Sequence, residues 1–310
     1  MKPINILSIA NQLEPSVVGL GFFDGIHLGH LELISKLVDF AKNSGHKSSI
    51  FTFDESPKRV LAPQSFRGYI TTPEEKFELL SKTGVDNIYY VPFTKEFASI
   101  NCQSFVKDIL INKINACNVF VGFNFKFGVN RSGNTEKLVS ELAQYDAKCN
   151  IIEPVKTPEG ETVSSSLIRT SIIEGNITKA NQLLGRNFSF SGKVVHGDHR
   201  GTEMGFPTAN LLLQDSIQVL PSNGVYACFA ETLNGTFPAI VNIGYRPTFN
   251  KDLYLLEAHL CNYSGNLYNQ TIKIKFLKKI RPEIKFPSMK DLISQIEKDQ
   301  KALMDILQVC

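Results

Sequence analysis

Two histidines flank a glycine where the first strand-like run of the chain gives way to a helical pattern. The apolar run Val17–Leu20 is followed by a glycine-rich turn, and His27, Gly29 and His30 stand at the start of the helical pattern. A helix N-terminus favours an anion, and imidazoles can donate hydrogen bonds to phosphate oxygens. The spacing therefore predicts a phosphate site, with ordinary polar turn residues as the competing interpretation.

Hydroxyls and a cation open a later helical pattern. The string Ser164-Ser165-Ser166 precedes Arg169 by about one turn. Serine hydroxyls, unpaired N–H groups and a guanidinium can together hold an anion, although the serines could also simply cap the helix.

Asn124 follows the predicted strand Val119–Val121. Since the carboxyl ends of parallel strands meet at one edge, Asn124 is expected at the same edge as the two histidines.

Hard oxygen ligands and glycines are concentrated in the second half of the chain. Thr208 and Asn210 are two residues apart, so in an extended segment their side chains point the same way. A hydroxyl and an amide oxygen suit Mg²⁺, which takes few protein ligands together with nucleotide phosphates and water. Gly197, Gly201 and Gly205 would let backbone amides approach phosphate. The stretch predicts a phosphate-binding flap rather than a plain loop.

Two polar residues alternate with apolar ones further along. Glu257 and His259 would share one strand face, with Leu256, Ala258 and Leu260 on the other. By alternation alone, the polar pair would form a solvated face.

The elements that must position these residues change character near Gly185. Before it, strand-like runs alternate with helical patterns, which implies a parallel sheet covered on both faces. After it, short runs separated by turns predict an antiparallel barrel and one closing helix, capped by Ser288 with Asp291 at the capping-box position. The sequence thus predicts an α/β domain over residues 1–184 and a β domain over residues 185–310. Local predictions include a strand over Ser49–Phe53, a helix capped by Thr72 and Glu75, and helices over Phe105–Ile114 and Thr135–Tyr145.

Composition narrows the function classes. The 310 residues are 43% hydrophobic and 20% charged with a net charge of +3, too apolar for a disordered chain and too mildly basic to argue for nucleic acid or membrane. The six cysteines form no C-x-x-C pair and no zinc spacing. Neither a secretory signal nor a run of about 18 apolar residues is present. We therefore expect a cytoplasmic protein with reduced thiols and no nucleic-acid or membrane partner.

Three strings of the first half resemble the adenylyltransferase module of bacterial bifunctional riboflavin kinase/FAD synthetase. They are Gly21–His30, Val121–Gly128 and Ser165–Arg169, in that order. The resemblance implies a Rossmann-like nucleotidylyltransferase fold in which the phosphate of FMN attacks the α-phosphorus of ATP, giving FAD and pyrophosphate. It implies that His27 and His30 stabilise phosphate charge and that Asn124 contacts phosphate. Further implied ATP- or flavin-binding residues are Phe22, Asp24, Gly25, Gly29, Ser165, Ser166 and Arg169, the last three holding pyrophosphate.

The second half resembles the riboflavin kinase module over nearly its whole length. The strings that carry this likeness include Gly192–Gly197, Gly205–Asn210, Gly224–Tyr226, Asn242–Gly244 and Leu256–His259. The resemblance implies a barrel in which Glu257 is the base for attack of riboflavin on the γ-phosphorus of ATP, with Thr208 and Asn210 on Mg²⁺. Implied ATP- or flavin-binding residues are Gly197, Gly201, Gly205, Pro207, Arg246 and Arg281, with the segment 283–286 helping to close over flavin. Mg²⁺ is expected in both steps, and riboflavin, FMN, FAD and ATP are the expected partners of a monomer or weak homo-oligomer.

Two departures from the family pattern leave alternatives open. The family's Glu-Pro-His-Pro is Asp54–Pro57 here, so Ser56 replaces a histidine, and Phe22 stands where a small or polar residue is usual. These favour a riboflavin kinase with a weakened or inactive adenylyltransferase domain as one alternative. A nucleotidylyltransferase for another acceptor is a second. A non-catalytic flavin sensor is a third, which the base Glu257 and the ligands Thr208 and Asn210 disfavour.

Overall fold

The chain forms two compact units. The computed structural model describes residues 1–197, 205–212, 217–248 and 251–309, with only the backbone at 212, 245–248, 251–255 and 309. The first unit comprises Met1–Arg67 and Thr71–Ser165, and the second comprises Gly68–Ile70 and the chain from Ser166 onward. Within the described ranges, no helix combines the length and the hydropathy needed to cross a bilayer.

The first unit is built on a parallel six-stranded sheet in the order β1-β4-β3-β2-β5-β6. This confirms the predicted α/β architecture. The one described strand of this sheet that the sequence did not indicate is the first, because two residues carry no period. The strands are β1 (Ile4–Asn5), β2 (Ser16–Leu20), β3 (Lys47–Phe53), β4 (Asn87–Val91), β5 (Ala116–Gly122) and β6 (Lys148–Ile152).

Both faces of this sheet are buried. Val18 and Leu20 of β2 pack into one apolar cluster, while Val17 packs into another. The same alternation occurs on β5, where Val121 joins the first cluster and Phe120 the second. Since successive side chains of a strand point to opposite faces, the sheet is the middle layer of the unit.

The helices of the first unit begin at recognisable signals. Thr72 Oγ1 accepts a hydrogen bond from the Glu75 N–H at 3.2 Å, as the capping box predicts. The helix predicted over Phe105–Ile114 is instead a π-helical segment, Phe105–Ile111, which follows α5 directly. The helices are α1 (Leu28–Ser44), α2 (Pro57–Leu61), α3 (Pro73–Ser81), α4 (Lys95–Ala98), α5 (Cys102–Ser104) and α6 (Thr135–Leu142).

The second unit is a closed antiparallel barrel, as predicted, in the order β10-β11-β8-β7-β12-β9 with β9 paired back to β10. Two helices precede it, α7 (Ser165–Ile173) and α8 (Ile177–Leu184). The strands are β7 (Ser189–Val195), β8 (Ala209–Leu212), β9 (Gly224–Thr232), β10 (Gly235–Thr248), β11 (Lys251–Leu260) and β12 (Thr271–Arg281).

The closing helix α9 (Met289–Val309) packs on the barrel through its apolar stripe. Leu303, Ile306 and Leu307 join an apolar cluster with residues of β9, β10 and β12. Its predicted start is confirmed, because Ser288 Oγ accepts from the Asp291 N–H at 3.2 Å and donates to the Asp291 carboxylate at 2.6 Å. The helix thereby covers one outer side of the barrel.

Candidate active sites

The turn between β2 and α1 has a strained backbone. Phe23 and Ile26 have φ values of 58° and 38°, in the left-handed region that side-chain-bearing residues rarely adopt. Gly25 between them has a φ of 84°. Such a conformation persists only where the surroundings fix it, and it is concentrated at functional sites in proteins.

Hydrogen bonds to Asp24 fix the middle of this turn. One carboxylate oxygen of Asp24 accepts from the Thr71 N–H at 3.2 Å, and the Gly25 N–H donates to Thr71 Oγ1 at 3.2 Å. Ser165 Oγ donates to the Asp24 carbonyl at 2.9 Å. Asp24 is 4% exposed. The predicted ligand residues Asp24, Gly25 and Ser165 therefore meet in one place, where they act on the backbone of the turn.

His27 and His30 lie side by side at the start of α1. Their rings stack with centroids 3.7 Å apart and planes inclined by 15°. His27 caps the helix, since its Nδ1 accepts from the His30 N–H at 3.3 Å. That places the ring proton of a neutral His27 on Nε2, a donor of the kind a phosphate oxygen needs. Gly29 allows the stack, because a Cβ there would lie 3.2 Å from His27 Cε1.

Asn124 lies at the same sheet edge as this turn, as expected. It sits in the turn after β5, where the Phe125 N–H donates to the Gly122 carbonyl at 3.0 Å, and its side chain is exposed. Because β5 and β2 are parallel neighbours, the turns that follow them emerge together.

The remaining anion candidates begin α7. Ser166 is exposed in the first turn of the helix. Arg169, one turn on, donates from Nε to the Gly68 carbonyl at 2.9 Å within the second unit. That bond uses one of five guanidinium donors and orients the side chain.

A buried lysine that the sequence analysis did not single out lies beneath Phe22. Lys76 of α3 is 2% exposed, and its Nζ is 4.2 Å from the centroid of the Phe22 ring. Burial lowers the pKa of this ammonium to about 8 against the opposing effect of nearby carboxylates. A signal was available, since Lys76 stands four residues before the buried Leu80, on the apolar stripe of the helix.

In the barrel, Glu257 lies in a row of polar residues on three adjacent strands. It pairs with Asn210 of β8 on one side and with Asn242 of β10 on the other. Directly paired residues share a face, so the three side chains project together. Leu256 and Ala258 are fully buried on the opposite face, as the alternation predicts.

The side-chain oxygen of Asn210 fits a divalent cation. Its Oδ1 is buried and has no hydrogen-bond partner among the described residues, and Asn210 is 6% exposed. A buried polar atom is normally paired, so an oxygen in this state suits a bound ion. Gly197 packs against the same amide, since a Cβ there would lie 2.2 Å from Asn210 Nδ2. Over the described ranges there is no cluster of three or more His, Cys, Asp or Glu that could hold a metal ion.

His259 links the segment before β8 to α9, a role the sequence did not indicate. Its Nδ1 is 2.9 Å from the Pro207 carbonyl and its Nε2 is 3.2 Å from Gln300 Nε2. A carbonyl only accepts, so Nδ1 carries the proton and Nε2 accepts from Gln300. Thr208, next to Pro207, is half-buried. The imidazole therefore fixes the backbone that leads to Thr208 and Asn210.

The other predicted barrel residues are placed as follows. Gly205 is exposed with a φ of 82°. Gly201 and the side chain of Arg246 lie outside the described residues. Arg281 forms a two-pronged ion pair with Asp299 of α9, with nitrogen–oxygen distances of 2.8 to 3.1 Å. Glu283 lies against Gly244, where a Cβ would be 2.6 Å from its Oε1.

Family models match the two halves separately. The model described as FAD synthetase matches residues 9–167, and the model described as riboflavin kinase matches residues 184–307. Together they take in both candidate sites.

Full-length relatives carry both halves in the same order. A bifunctional riboflavin kinase/FMN adenylyltransferase of Bacillus subtilis is 35% identical over 97% of this chain and 96% of its own length. One from Buchnera aphidicola subsp. Schizaphis graminum is 37% identical over 92% of this chain and 91% of its own. A crystal structure of a Streptococcus pneumoniae protein named macrolide-efflux protein superposes with a TM-score of 0.88 at 33% identity, covering 98% of each chain. The chain belongs to the bifunctional riboflavin kinase/FMN adenylyltransferase family.

Proposed function

We propose that this chain makes both flavin cofactors, FMN from riboflavin and ATP with residues 185–310, and FAD from FMN and ATP with residues 1–184. The pairing of Glu257 with Asn210, whose Oδ1 is buried without a partner among the described residues, carries the kinase half of the proposal. By contacts, residues 166–184 group with the barrel, so their assignment to the adenylylating half rests on the motif Ser165–Arg169.

The kinase step needs a base and a means of holding triphosphate. Glu257 would accept the proton of the riboflavin 5′-hydroxyl as that oxygen attacks the γ-phosphorus of ATP. Thr208 and Asn210 would hold Mg²⁺, which neutralises phosphate charge when bound. His259 would keep the backbone at Pro207 in place through its hydrogen bond to that carbonyl. Positioning supplies most of the rate in this class of reaction.

The adenylylation step needs donors to phosphate rather than a nucleophilic side chain. His27 and His30 would donate to the phosphates as charge shifts toward the leaving pyrophosphate. Ser165, Ser166 and Arg169 would hold that pyrophosphate. The FMN phosphate itself attacks the α-phosphorus of ATP, so no covalent enzyme intermediate is required.

A second candidate function is a riboflavin kinase with a weakened adenylyltransferase domain. Two observations favour it. Ser56 is 6% exposed and accepts from the Lys58 N–H at 3.2 Å, so it serves as a helix cap and brings no charge. Phe22, whose ring covers the Lys76 ammonium, is bulky for its position in the family pattern.

The deciding experiment incubates the purified protein with riboflavin, ATP and Mg²⁺ and separates the flavins over time. FMN followed by FAD supports both sites. FMN alone supports the second candidate, and bound flavin without turnover supports a sensor.

We further propose that the protein works in the cytoplasm as a monomer or weak homo-oligomer without a nucleic-acid partner. The described cysteines are all free thiols, in keeping with a reducing compartment: Cys102, Cys117, Cys149, Cys228 and Cys261.

A further inference from the structure

The neighbours of Lys76 in the first unit shield its ammonium from water. The residue is 2% exposed. Its Nζ donates to the Phe53 carbonyl at 2.5 Å and lies 3.4 Å from Thr52 Oγ1. The face of the Phe22 ring covers it at 4.2 Å, and the Phe77 ring lies 5.3 Å away. A buried lysine is costly unless such partners compensate, and here the Phe53 carbonyl and the Phe22 ring do so.

The charged groups around this ammonium come from two neighbouring turns. Asp24 belongs to the turn between β2 and α1, and Asp54 and Glu55 follow β3. Glu55 is already paired with Arg59 at 2.8 Å, and Asp54 accepts from the Phe93 N–H at 3.0 Å. Desolvation outweighs the attraction of these carboxylates and lowers the pKa of Lys76 to about 8. The side chain therefore changes charge within the working range of an assay.

Lys76 acts on the strained turn through Phe22. Thr52 Oγ1 donates to the Phe22 carbonyl at 3.1 Å and lies within reach of the Lys76 ammonium. Backbone and ring of Phe22 are thus both held from the same side. The next residue, Phe23, has the φ of 58° that begins the strained stretch, and its ring packs edge-on against His30 at 5.2 Å.

A strained turn needs anchors on both sides. Thr71 and Ser165 hold Asp24 in the middle of the turn, and the pair Lys76–Thr52 holds the end nearer β2. Without the second anchor, Phe22 would lose the hydrogen bond to its carbonyl and the ammonium beneath its ring, and the strain at Phe23 could relax. The rings of His27 and His30 are at the far end of the same short segment.

We propose that Lys76 is a positioning residue for FAD synthesis, whose ammonium holds Phe22 and so keeps the strained turn in the form that presents His27 and His30 to phosphate. The inference rests on the proposed adenylyltransferase function. It assigns to this lysine no contact with substrate.

The test compares Lys76→Met with Lys82→Met on the same helix, a change of the same kind at an exposed lysine paired with Glu78. FAD formation from supplied FMN is measured against FMN formation from riboflavin on the same preparation. We expect Lys76→Met to lower kcat for FAD formation roughly tenfold or more, with FMN formation and Lys82→Met unchanged. The ratio of wild-type to Lys76→Met rates should shrink as the pH rises through about 8, because the wild-type ammonium is then lost.

Thr52→Val is the second variant, for the case that Lys76→Met does not fold. It retains the lysine but removes the hydroxyl that ties Phe22 to it, so FAD formation should also fall. A wild-type rate of FAD formation in either folded variant, or a wild-type to Lys76→Met ratio that does not change between pH 7 and pH 9.5, would overturn the role assigned to Lys76. Absence of FAD formation in the wild-type protein would instead overturn the proposed function on which it rests.

Discussion

Glu257 on β11 lies directly opposite Asn210 on β8, so a carboxylate and a buried amide oxygen project from the same face of neighbouring strands. The pairing is fixed by the register of the barrel, in which Leu256 and Ala258 must face inward. A shift of one residue would turn Glu257 into the core. The chemistry of this face is therefore tied to the packing of the opposite one.

Glu257→Gln should reduce FMN formation by about 10²- to 10⁴-fold, because the amide has nearly the same shape but cannot accept the hydroxyl proton. FAD formation from supplied FMN should be unchanged. Chromatographic separation of the flavins checks both rates in one preparation. Loss of both activities from their own substrates would contradict the division of labour between the two units.

His30→Ala should give the opposite pattern. Removing one donor to a phosphate in such a site costs about 10²-fold or more in rate, while the barrel is untouched. We expect FAD formation from FMN to fall and riboflavin phosphorylation to continue at the wild-type rate. Unimpaired FAD formation would show that the His30 ring does not take part in the transfer.

Asn210→Leu tests whether the buried side-chain oxygen of Asn210 is a ligand of Mg²⁺. The variant keeps the branched shape of the side chain but removes Oδ1, so riboflavin phosphorylation should need a higher Mg²⁺ concentration for half-maximal rate. The free energy of unfolding should change little, since Oδ1 has no partner to lose among the described residues. A Mg²⁺ titration of the kinase rate and a thermal melt check the two expectations, and an unchanged titration curve would count against a ligand role.

Arg281→Met tests whether the ion pair with Asp299 stabilises the unit. The two side chains are 15% and 3% exposed, so the variant leaves a carboxylate buried without its cation. Breaking such a pair costs about 3 kcal/mol, whereas Arg281→Met combined with Asp299→Leu should recover part of the loss. Hydrogen exchange of the α9 amides measures the change. A raised KM for riboflavin with unchanged exchange would instead favour the flavin-binding role.

Lys76 should make stability depend on pH in the alkaline range. Its pKa is lowered to about 8 from an ordinary value of 10.5, so between these pH values the unfolded chain holds a proton that the folded chain has released. The free energy of unfolding therefore rises with pH in this window, by up to roughly 3 kcal/mol. Urea unfolding of wild type and Lys76→Met at pH 7.5 and pH 10 measures the change, and the increment should be absent from the variant.

Much of the architecture could be predicted from short-range patterns in the sequence. The capping boxes at Thr72 and Ser288, the alternation around Glu257 and the turn that carries His27 all have short-range signatures, and the structure contains each of them. The change from helices to strands near Gly185 could be predicted because helical periods give way to strand periods.

Other features depend on contacts between distant residues and had no local signature. The π-helical winding of Phe105–Ile111 differs from an α-helix in hydrogen bonding, not in side-chain pattern. Lys76 is buried because Phe22 and Phe53 come to it from the sheet edge. The bond from His259 to Pro207 joins residues far apart in sequence. These contacts arise only when the elements have packed.

The closure of the barrel also sets an order of events on the ribosome. The strand Ser189–Val195 pairs with its neighbour Ala209–Leu212 and with Thr271–Arg281, near the end of the described chain. A nascent chain that has not reached Thr271 already holds every described strand of the parallel sheet but only an open barrel with unpaired strand edges. Such edges are templates for aggregation, so ribosome stalling between the two units should be harmless while stalling within the barrel should not.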